Sequence, residues 1–155
     1  MKQEFQRVGL RPGKTVMLSP YEQSLTANGY QLLPRSFWEQ LAQRLKQRGY
    51  DVFTNCSGTE AEPPISGTSF LFPPVSQMSH CAAYAGGMVA IRSGLVDFCC
   101  AAKATKVVLY PDDVFFHTNA MGLSTDVVEI SYEHAQEDGL ETVMEEVLNA
   151  FPTVR

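Results

Sequence analysis

The sequence predicts a doubly wound α/β domain, in which a mostly parallel sheet carries helices on both faces. Three observations support this prediction: short buried-type strands alternate with helical segments, a strand-turn-helix-strand unit occupies residues 88–111, and a strongly amphipathic segment lies near residue 150. Strands that alternate with helices favour a parallel sheet because parallel neighbours need a crossover connection. With 155 residues, the chain is long enough for one such domain with a sizeable core.

The first third of the chain is predicted to contain one strand and one long helix. Residues 1–13 are polar and end in a Pro-Gly turn, so we expect a linker or tail that precedes a domain of residues 14–155. The apolar run at residues 15–18 is typical of a short buried strand. Ser36, with Glu39 three residues later, forms a capping-box pattern that predicts the start of a helix.

Two further strands and a second helix are predicted to follow. The first helix ends before Gly49, which stands where a C-terminal glycine belongs, and residues 51–54 form the next strand. Residues 69–72 are a short apolar run closed by two prolines. Ser76 then caps a helix that reaches about Ala85, where a Gly-Gly pair stops it.

The second half of the chain is organised around the strand-turn-helix-strand unit. Residues 88–91 form a buried strand, a Ser-Gly turn at residues 92–94 breaks it, and small residues predict a helix over residues 95–104. A second buried strand follows at residues 106–110. This is the layout of a parallel crossover, in which the helix begins at the carboxyl edge of the sheet.

The last part of the chain is predicted to be a loop, a strand and a helix. Residues 112–124 give mixed signals and are assigned to a loop, and residues 126–130 are assigned to a strand. The final helix is predicted from apolar residues that recur at helical spacing, namely Leu140, Val143, Met144, Val147, Leu148 and Phe151.

Composition and charge exclude two classes of protein. The net charge of −5, the pI near 5.1 and the lack of a basic run argue against a nucleic-acid-binding surface. No apolar run approaches the ~20 residues that span a bilayer, and the first residues lack the apolar core of a signal peptide. We therefore expect a cytoplasmic protein that binds no nucleic acid.

The four cysteines are predicted to be reduced and mostly buried. Cys56, Cys81, Cys99 and Cys100 show no CxxC spacing and no histidine at ligand distance. The adjacent Cys99 and Cys100 diverge around a helix, so they are poor partners for one disulfide or one metal ion. We expect neither a disulfide nor a metal site, as in a reducing compartment.

The Ser-Gly turn is the first candidate binding site. The helix that follows this turn would offer free backbone N–H groups to a phosphate, with Ser93 as its cap and Arg92 as a nearby cation. The alternative is structural, because Ser-Gly is a common helix start and Arg92 could pair with Asp97 or Glu60. Asp97 is either an acceptor for sugar hydroxyls or a carboxylate favoured by the helix dipole.

Two loops at the same edge of the predicted sheet complete the candidate site. Ser19 and Tyr21 follow the first strand, and the loop at residues 21–35 has an unusual length that favours a binding role. Glu60 follows the second strand, where a carboxylate could bind ribose hydroxyls. The alternative is that these loops are solvated and bind nothing.

The sequence offers no convincing catalytic group. His80, His117 and His134 are dispersed, and only His117 is expected near the ligand edge. The G-x-S-x-G, Walker and GxGxxG patterns are absent, so the hydrolase, NTPase and dinucleotide-binding classes lack their characteristic parts.

Four segments in this order resemble the C-terminal half of a bacterial GT-B glycosyltransferase of the heptosyltransferase-like superfamily. They are Leu33-Pro34-Arg35-Ser36-Phe37-Trp38, the strand and Gly-x-Glu of residues 51–60, Ile91-Arg92-Ser93-Gly94-Leu95-Val96-Asp97, and Val107-Val108-Leu109-Tyr110-Pro111. The resemblance covers about residues 13–111. It implies a Rossmann-like domain that is half of a GT-B fold.

In that family, an Asp-Ser-Gly-Pro-x-His segment before an Ala-rich helix holds the donor diphosphate and sugar. Ser93 and Gly94 match this segment directly, whereas Arg92 stands in place of the aspartate and Asp97 in place of the histidine. Arg35 takes the place of a basic residue ahead of the tryptophan-containing helix. The resemblance therefore implies that Arg92 neutralises the diphosphate and that Asp97 contacts the sugar.

The function implied by the resemblance is donor binding in a glycosyltransferase that uses a nucleotide-diphosphate sugar for surface polysaccharide synthesis. The donor is a substrate, and no separate cofactor is implied. The implied partner is an N-terminal acceptor-binding domain or partner chain, through which the protein would associate peripherally with a membrane, or a second copy in a homodimer. The alternative is a non-catalytic α/β nucleotide-binding or interaction module that has lost turnover.

The resemblance also implies an incomplete active site. In GT-B enzymes the acceptor and usually the catalytic base come from the N-terminal domain. We therefore expect the isolated chain to bind a donor without transferring sugar. We expect the partner to dock on an exposed apolar patch near Tyr21, Phe115 and Phe116.

Overall fold

The structure is a computed structural model that describes residues 2–22, 25, 27, 29–111, 127–132 and 139–155. In this part of the chain, six strands form one parallel sheet in the order β3-β2-β1-β4-β5-β6. The strands are β1 (Thr15–Ser19), β2 (Asp51–Asn55), β3 (Ser69–Leu71), β4 (Gly86–Ile91), β5 (Thr105–Tyr110) and β6 (Val127–Ser131). The chain builds outward from β1 on one side and then from β4 on the other, which confirms the doubly wound fold.

Helices cover both faces of the sheet, as the sequence predicts. They are α1 (Lys2–Arg7), α2 (Arg35–Gln47), α3 (Met78–Ala85), α4 (Gly94–Cys99) and α5 (Leu140–Asn149). Successive side chains of a strand point to opposite faces, so Val16 and Leu18 of β1 enter one core and Met17 enters the other. The first core is closed by α2 and α5, and the second by α1, α3 and α4.

The strand register gathers the carboxyl ends of β1, β2 and β4 at one edge of the sheet. Leu18 lies opposite Thr54 of β2, and Ser19 lies opposite Ala90 of β4. The loops that follow these three strands therefore meet where the strand order reverses. In doubly wound sheets this is the position of the ligand crevice.

The segment expected to be a linker or tail is packed against the domain in the structure. Residues 2–7 form α1, and Phe5 is 1% exposed within the second core. The Phe5 ring stacks on Tyr84 with centroids 4.8 Å apart and meets Phe53 edge-on at 5.5 Å. A single apolar residue in a polar segment gives little periodic signal, so this helix could not be recognised from the sequence.

Helix α2 ends as predicted, but it begins differently. It starts at Arg35 with Pro34 at the cap position, so Ser36 lies inside the helix, and Arg35 donates from Nε to Glu39 Oε1 at 2.9 Å. At the other end Gly49 has a φ of +95°, and Tyr50 N–H donates to the Leu45 carbonyl at 3.1 Å. This is the glycine-terminated helix end that the sequence indicates.

The turn after α2 is sealed by residues from the far end of the chain. Arg48 donates from Nη1 to the carbonyls of Leu148 and Phe151, at 2.7 and 2.9 Å. Val154 N–H donates to the Arg48 carbonyl at 2.8 Å. The C-terminal segment is thus hydrogen-bonded to a turn about a hundred residues earlier.

The helix predicted over residues 95–104 is shorter in the structure. α4 begins at Gly94 and ends at Cys99. Lys106 of β5 explains the early end, because its ammonium is buried and donates to the carbonyls of Cys100 and Ala102, at 2.6 and 2.7 Å. These bonds satisfy carbonyl groups that a longer helix would bond internally.

The start of α3 and the start of β4 also differ from the prediction. Ser76 does not cap α3; it lies in a 3₁₀ turn (Val75–Gln77), and the helix begins at Met78. The glycine that stops α3 is Gly86, with a φ of +91°. The same glycine begins β4, two residues before the predicted strand, because its backbone packs directly against Gly13.

The rest of the second half agrees with the prediction where it is described. Strand β6 lies within one residue of the predicted strand, and α5 contains every predicted apolar position of the final helix except Phe151, which lies two residues beyond its end. The predicted loop at residues 112–124 lies outside the described residues, as does Asp126. Among the described helices, none combines the length and apolar character that a bilayer crossing requires.

All four cysteines are buried, as predicted, and none of them forms a disulfide with another. Burial disfavours the thiolate and raises the pKa of Cys81 to about 11 and that of Cys99 to about 11. Burial likewise raises the pKa of Cys56. The native protein should therefore hold these groups as neutral, unreactive thiols at neutral pH.

This burial predicts a loss of stability in alkali. The unfolded thiols titrate near pH 9, whereas those of Cys81 and Cys99 titrate near pH 11 in the folded protein. The stabilisation is therefore complete below pH 9 and is lost as the pH rises through 11, at about 1.4 kcal/mol per pH unit for each thiol. Urea denaturation from pH 8 to pH 11 measures it. The Cys81→Ala/Cys99→Ala double variant should show a shallower decline, and an identical decline would contradict the assignment.

Candidate functional site

A cleft of about 440 Å³ opens at the carboxyl edge of the sheet. Strands β1, β2 and β4 end at this cleft, so it occupies the position where the strand order reverses. Its lining residues are Ser19, Tyr21, Glu22, Asn55, Glu62, Phe72, Pro73, Pro74, Val75, Met78, Ser93 and Leu95. The sequence predicts that binding loops meet at this edge of the sheet, and the structure shows that a cleft lies there.

The predicted site residues are only partly brought together. Ser19, Tyr21 and Ser93 line the cleft, whereas Gly94 lies next to it and is exposed. Glu60 is exposed and does not line the cleft; Glu62, two residues later, does. The path of the loop after β2 decides which glutamate faces inward, and the sequence gives no local signal for that path.

Asn55 also lines the cleft, although it is not among the site residues predicted from the sequence. It is the last residue of β2, and its side-chain Nδ2 donates to Ser19 Oγ at 3.3 Å. The amide oxygen Oδ1 is buried and has no hydrogen-bond partner among the described residues. A buried polar atom without a partner is rare in folded proteins, because its desolvation is not compensated. The position of a polar amide at a strand end was the available signal.

Arg92 and Asp97 form the internal ion pair that the sequence left open as an alternative. Arg92 Nη2 lies 3.1 Å from Asp97 Oδ1, and Arg92 Nη1 donates to the Ser93 carbonyl. The Arg92 side chain is 11% exposed, while that of Asp97 is 56% exposed. Arg92 Nε is buried without a partner. Ser93 occupies the cap position of α4, but its side chain makes no capping hydrogen bond.

Tyr21 and Arg35 hold the loop that carries Glu62. Tyr21 donates from its hydroxyl to the Pro63 carbonyl, and Arg35 donates from Nη2 to the Pro64 carbonyl at 2.7 Å. Burial raises the pKa of Tyr21, so its hydroxyl stays protonated as a donor. Arg35, which stands where the resemblance implies a basic ligand residue, is thus engaged with the protein itself.

The lining of the cleft combines acidic and apolar residues. Glu22 and Glu62 line it, and no lysine, arginine or histidine is among its described lining residues. Phe72 and Val75 are among the apolar residues and are 66% and 52% exposed. Tyr21 is half-buried, and Phe115 and Phe116 lie outside the described residues, so the exposed apolar surface beside the cleft is that of Phe72 and Val75.

The remaining candidates for chemistry are not gathered at the cleft. His80 is exposed on α3, and His117 and His134 lie outside the described residues. Within the described ranges, no group of three or more His, Cys, Asp or Glu side chains is placed to hold a metal ion.

The strand order and the position of the cleft define the chain as a Rossmann-like α/β domain. A solved structure with this fold is the E. coli ADP-heptose LPS heptosyltransferase II, with a TM-score of 0.68 and 17% sequence identity. The match covers 96% of this chain and 50% of that chain, so the chain spans about half the length of its structural neighbour. No family model and no curated protein sequence matches the chain.

Proposed function

We propose that this chain is the donor-binding domain of a glycosyltransferase that uses a nucleotide-diphosphate sugar, in surface polysaccharide synthesis. The observation that carries the proposal is the cleft at the reversal point of the sheet, lined by Ser19, Asn55 and Ser93. The similarity in fold to half of a heptosyltransferase supports the same function. The donor is the substrate of this reaction, and the proposal includes no other cofactor.

In the proposed complex, the diphosphate lies at the rim of the cleft over the backbone of Ser93 and Gly94. Arg92 would leave Asp97 and pair with the diphosphate, because a guanidinium binds phosphate oxygens in a bidentate manner. Asp97 would then be free to accept hydrogen bonds from the sugar. In the transfer step, Arg92 would stabilise the negative charge that develops on the departing nucleotide diphosphate as the bond at the anomeric carbon breaks.

The proposed partner is an acceptor-binding domain or chain that faces the cleft. Phe72 and Val75 are large, exposed and adjacent to the cleft, so a partner that covers them would also exclude water from the donor. A second copy of the chain is the other candidate for this position.

A second candidate function is a binding module without catalysis. The observation that favours it is the state of Arg92, whose guanidinium is held by Asp97 and by the Ser93 carbonyl. A diphosphate must compete with these contacts. Donor binding by the isolated chain is common to both functions, and sugar transfer with the partner present separates them.

Ligand-induced stabilisation tests the proposed function. At a concentration 100 times its dissociation constant, a bound nucleotide should stabilise the fold by about 2.7 kcal/mol. Melting curves with ADP, GDP, UDP and CDP, each beside its monophosphate, measure this effect. We expect one diphosphate to raise the melting temperature more than its monophosphate does. If millimolar concentrations of all four diphosphates leave the melting temperature unchanged, the donor-binding function is wrong.

Replacement of Arg92 tests its assignment to the diphosphate. Arg92→Ala should weaken nucleotide binding by about 1.5–3 kcal/mol, the range for a hydrogen bond to a charged group. It should change the melting temperature little, because the ion pair with Asp97 is largely exposed on the carboxylate side. Arg44→Ala is the matched control, because Arg44 pairs with Glu141 and Glu145 outside the cleft. Unchanged binding together with a sharp fall in melting would assign Arg92 a structural role.

A further inference from the structure

We infer that Asn55 determines ligand specificity by accepting a hydrogen bond from a hydroxyl of a polyhydroxylated ring. The ring is either the ribose of a nucleoside or the sugar of a donor, which share this chemistry. The inference rests on the proposed function and deepens it, because it states which part of the ligand enters the cleft. It assigns the cleft to the uncharged part of the ligand and leaves the diphosphate outside.

Asn55 uses one of its two polar side-chain atoms in a hydrogen bond within the protein. Its Nδ2 is committed to Ser19 Oγ, which orients the amide and leaves Oδ1 as the free acceptor. Because Oδ1 is buried without a partner, the protein carries an uncompensated acceptor in the ligand-free state. Oδ1 has almost no accessible surface in this conformation, so we expect the Asn55 side chain, which lines the cleft, to turn toward a bound ligand and accept a hydrogen bond from it. The donor on the ligand must be an O–H or N–H group.

The charged side chains in the described lining of the cleft are acidic. Glu22 and Glu62 line the same cleft, and its described lining contains no cationic side chain. Carboxylates repel a phosphate, and that of Glu62 can accept hydrogen bonds from hydroxyl groups. Ser19 and Ser93 add hydroxyls that can donate or accept. This lining fits a ring with several hydroxyl groups and does not fit a diphosphate.

Four consecutive apolar residues also line the cleft. Phe72, Val75 and the two prolines between them give the same cleft an apolar surface. A sugar ring has polar edges and apolar C–H faces, so it can place its hydroxyls toward Asn55 and a face against this surface. Apolar walls with a few polar groups that fix orientation are the usual composition of small-molecule sites.

The experiment compares Asn55→Leu with the wild-type chain in affinity and in stability. The ligands are ADP, 2′-deoxy-ADP, 3′-deoxy-ADP and ADP-glucose, with the UDP, GDP and CDP equivalents. If ribose occupies the cleft, a deoxy form should bind the wild type about tenfold more weakly than its parent, and the variant should abolish this difference. If the sugar occupies it, the glucose conjugate should bind more tightly than its diphosphate, and the variant should abolish that gain.

Stability separates a ligand contact from a structural role. Asn55→Leu removes an uncompensated buried acceptor and also the hydrogen bond from Nδ2 to Ser19 Oγ, so the two effects offset each other and the variant should unfold at a urea concentration close to that of the wild type. Asn149→Leu makes the same change at an exposed position of α5 and should leave every affinity unchanged. If Asn55→Leu lowers stability, or weakens all ligands equally, the inference is overturned.

A measurement with free sugars separates this inference from the proposed function. The side-chain amide signals of Asn55, assigned by their loss in Asn55→Leu, are followed by NMR during titration with free ribose and with free glucose. If no nucleotide binds but a free sugar shifts these signals, the proposed function fails and the inference holds. If neither nucleotides nor free sugars shift them, the inference is overturned as well.

Discussion

Gly86→Ala is expected to be strongly destabilising, although it adds only one methyl group. Gly86 has a φ of +91°, and a Cβ placed there would lie 2.7 Å from the Gly13 Cα and 3.0 Å from its carbonyl carbon. A left-handed backbone costs a non-glycine residue about 1–2 kcal/mol, and overpacking against backbone adds about 1–3 kcal/mol. We therefore expect a loss of about 3 kcal/mol or more, measured as a shift in the urea midpoint.

Two other glycines provide the controls for this prediction. Gly9 has a φ of +79°, and no atom lies within 4 Å of the position that an added methyl group would take, so Gly9→Ala should show the backbone cost alone. Gly94 begins α4 without a left-handed φ, and a methyl group added there would meet nothing within 4 Å among the described residues. Gly94→Ala should therefore be neutral or stabilising by up to about 1 kcal/mol. The overlap with Gly13 is refuted if Gly86→Ala destabilises no more than Gly9→Ala.

Trp38→Ala should destabilise the domain by about 3–5 kcal/mol, the usual range for removing a large buried aromatic side chain. Trp38 lies in α2, is 2% exposed and meets Phe37 edge-on with ring centroids 5.7 Å apart. Its truncation would leave a cavity in the first core, next to the small cleft that Trp38 shares with Tyr21 and Arg35. Circular dichroism must follow the unfolding, because the chain has a single tryptophan.

Two further variants test whether the destabilisation in Trp38→Ala comes from the lost buried volume. Trp38→Phe retains most of the apolar volume and should cost clearly less than Trp38→Ala. Phe98→Ala removes an aromatic ring that is 57% exposed and should have almost no effect. A loss below about 1 kcal/mol for Trp38→Ala would show that the ring does not support the core.

The strands could be predicted from sequence because parallel strands buried on both faces read as continuous apolar runs. Residues 106–110 are an example, and this strand is confirmed. The final helix was predictable for a different reason, because its apolar residues recur at helical spacing. The helix starts were less predictable. Ser36 and Ser76 carry local capping signals, but the chain starts its helices without their side chains. The early end of α4 depends on Lys106, whose contacts form only after the sheet is assembled.

The candidate site shows the same division between local and long-range information. Ser19, Tyr21 and Ser93 follow strands that share an edge, so the topology alone predicts that they lie close together. Glu62 replaces Glu60 at the cleft because Tyr21 and Arg35 bond to carbonyls of the same loop. These contacts join residues far apart in the sequence. No local pattern in the loop reveals them.

The hydrogen bonds between Arg48 and residues 148–154 have a consequence for synthesis on the ribosome. Helix α2 and strand β2 emerge early, but the carbonyls and the amide that close the turn between them belong to residues made about a hundred positions later. The first core also needs α5 to cover it. The nascent chain must therefore leave one face of its sheet open to chaperones until the last helix has cleared the exit tunnel.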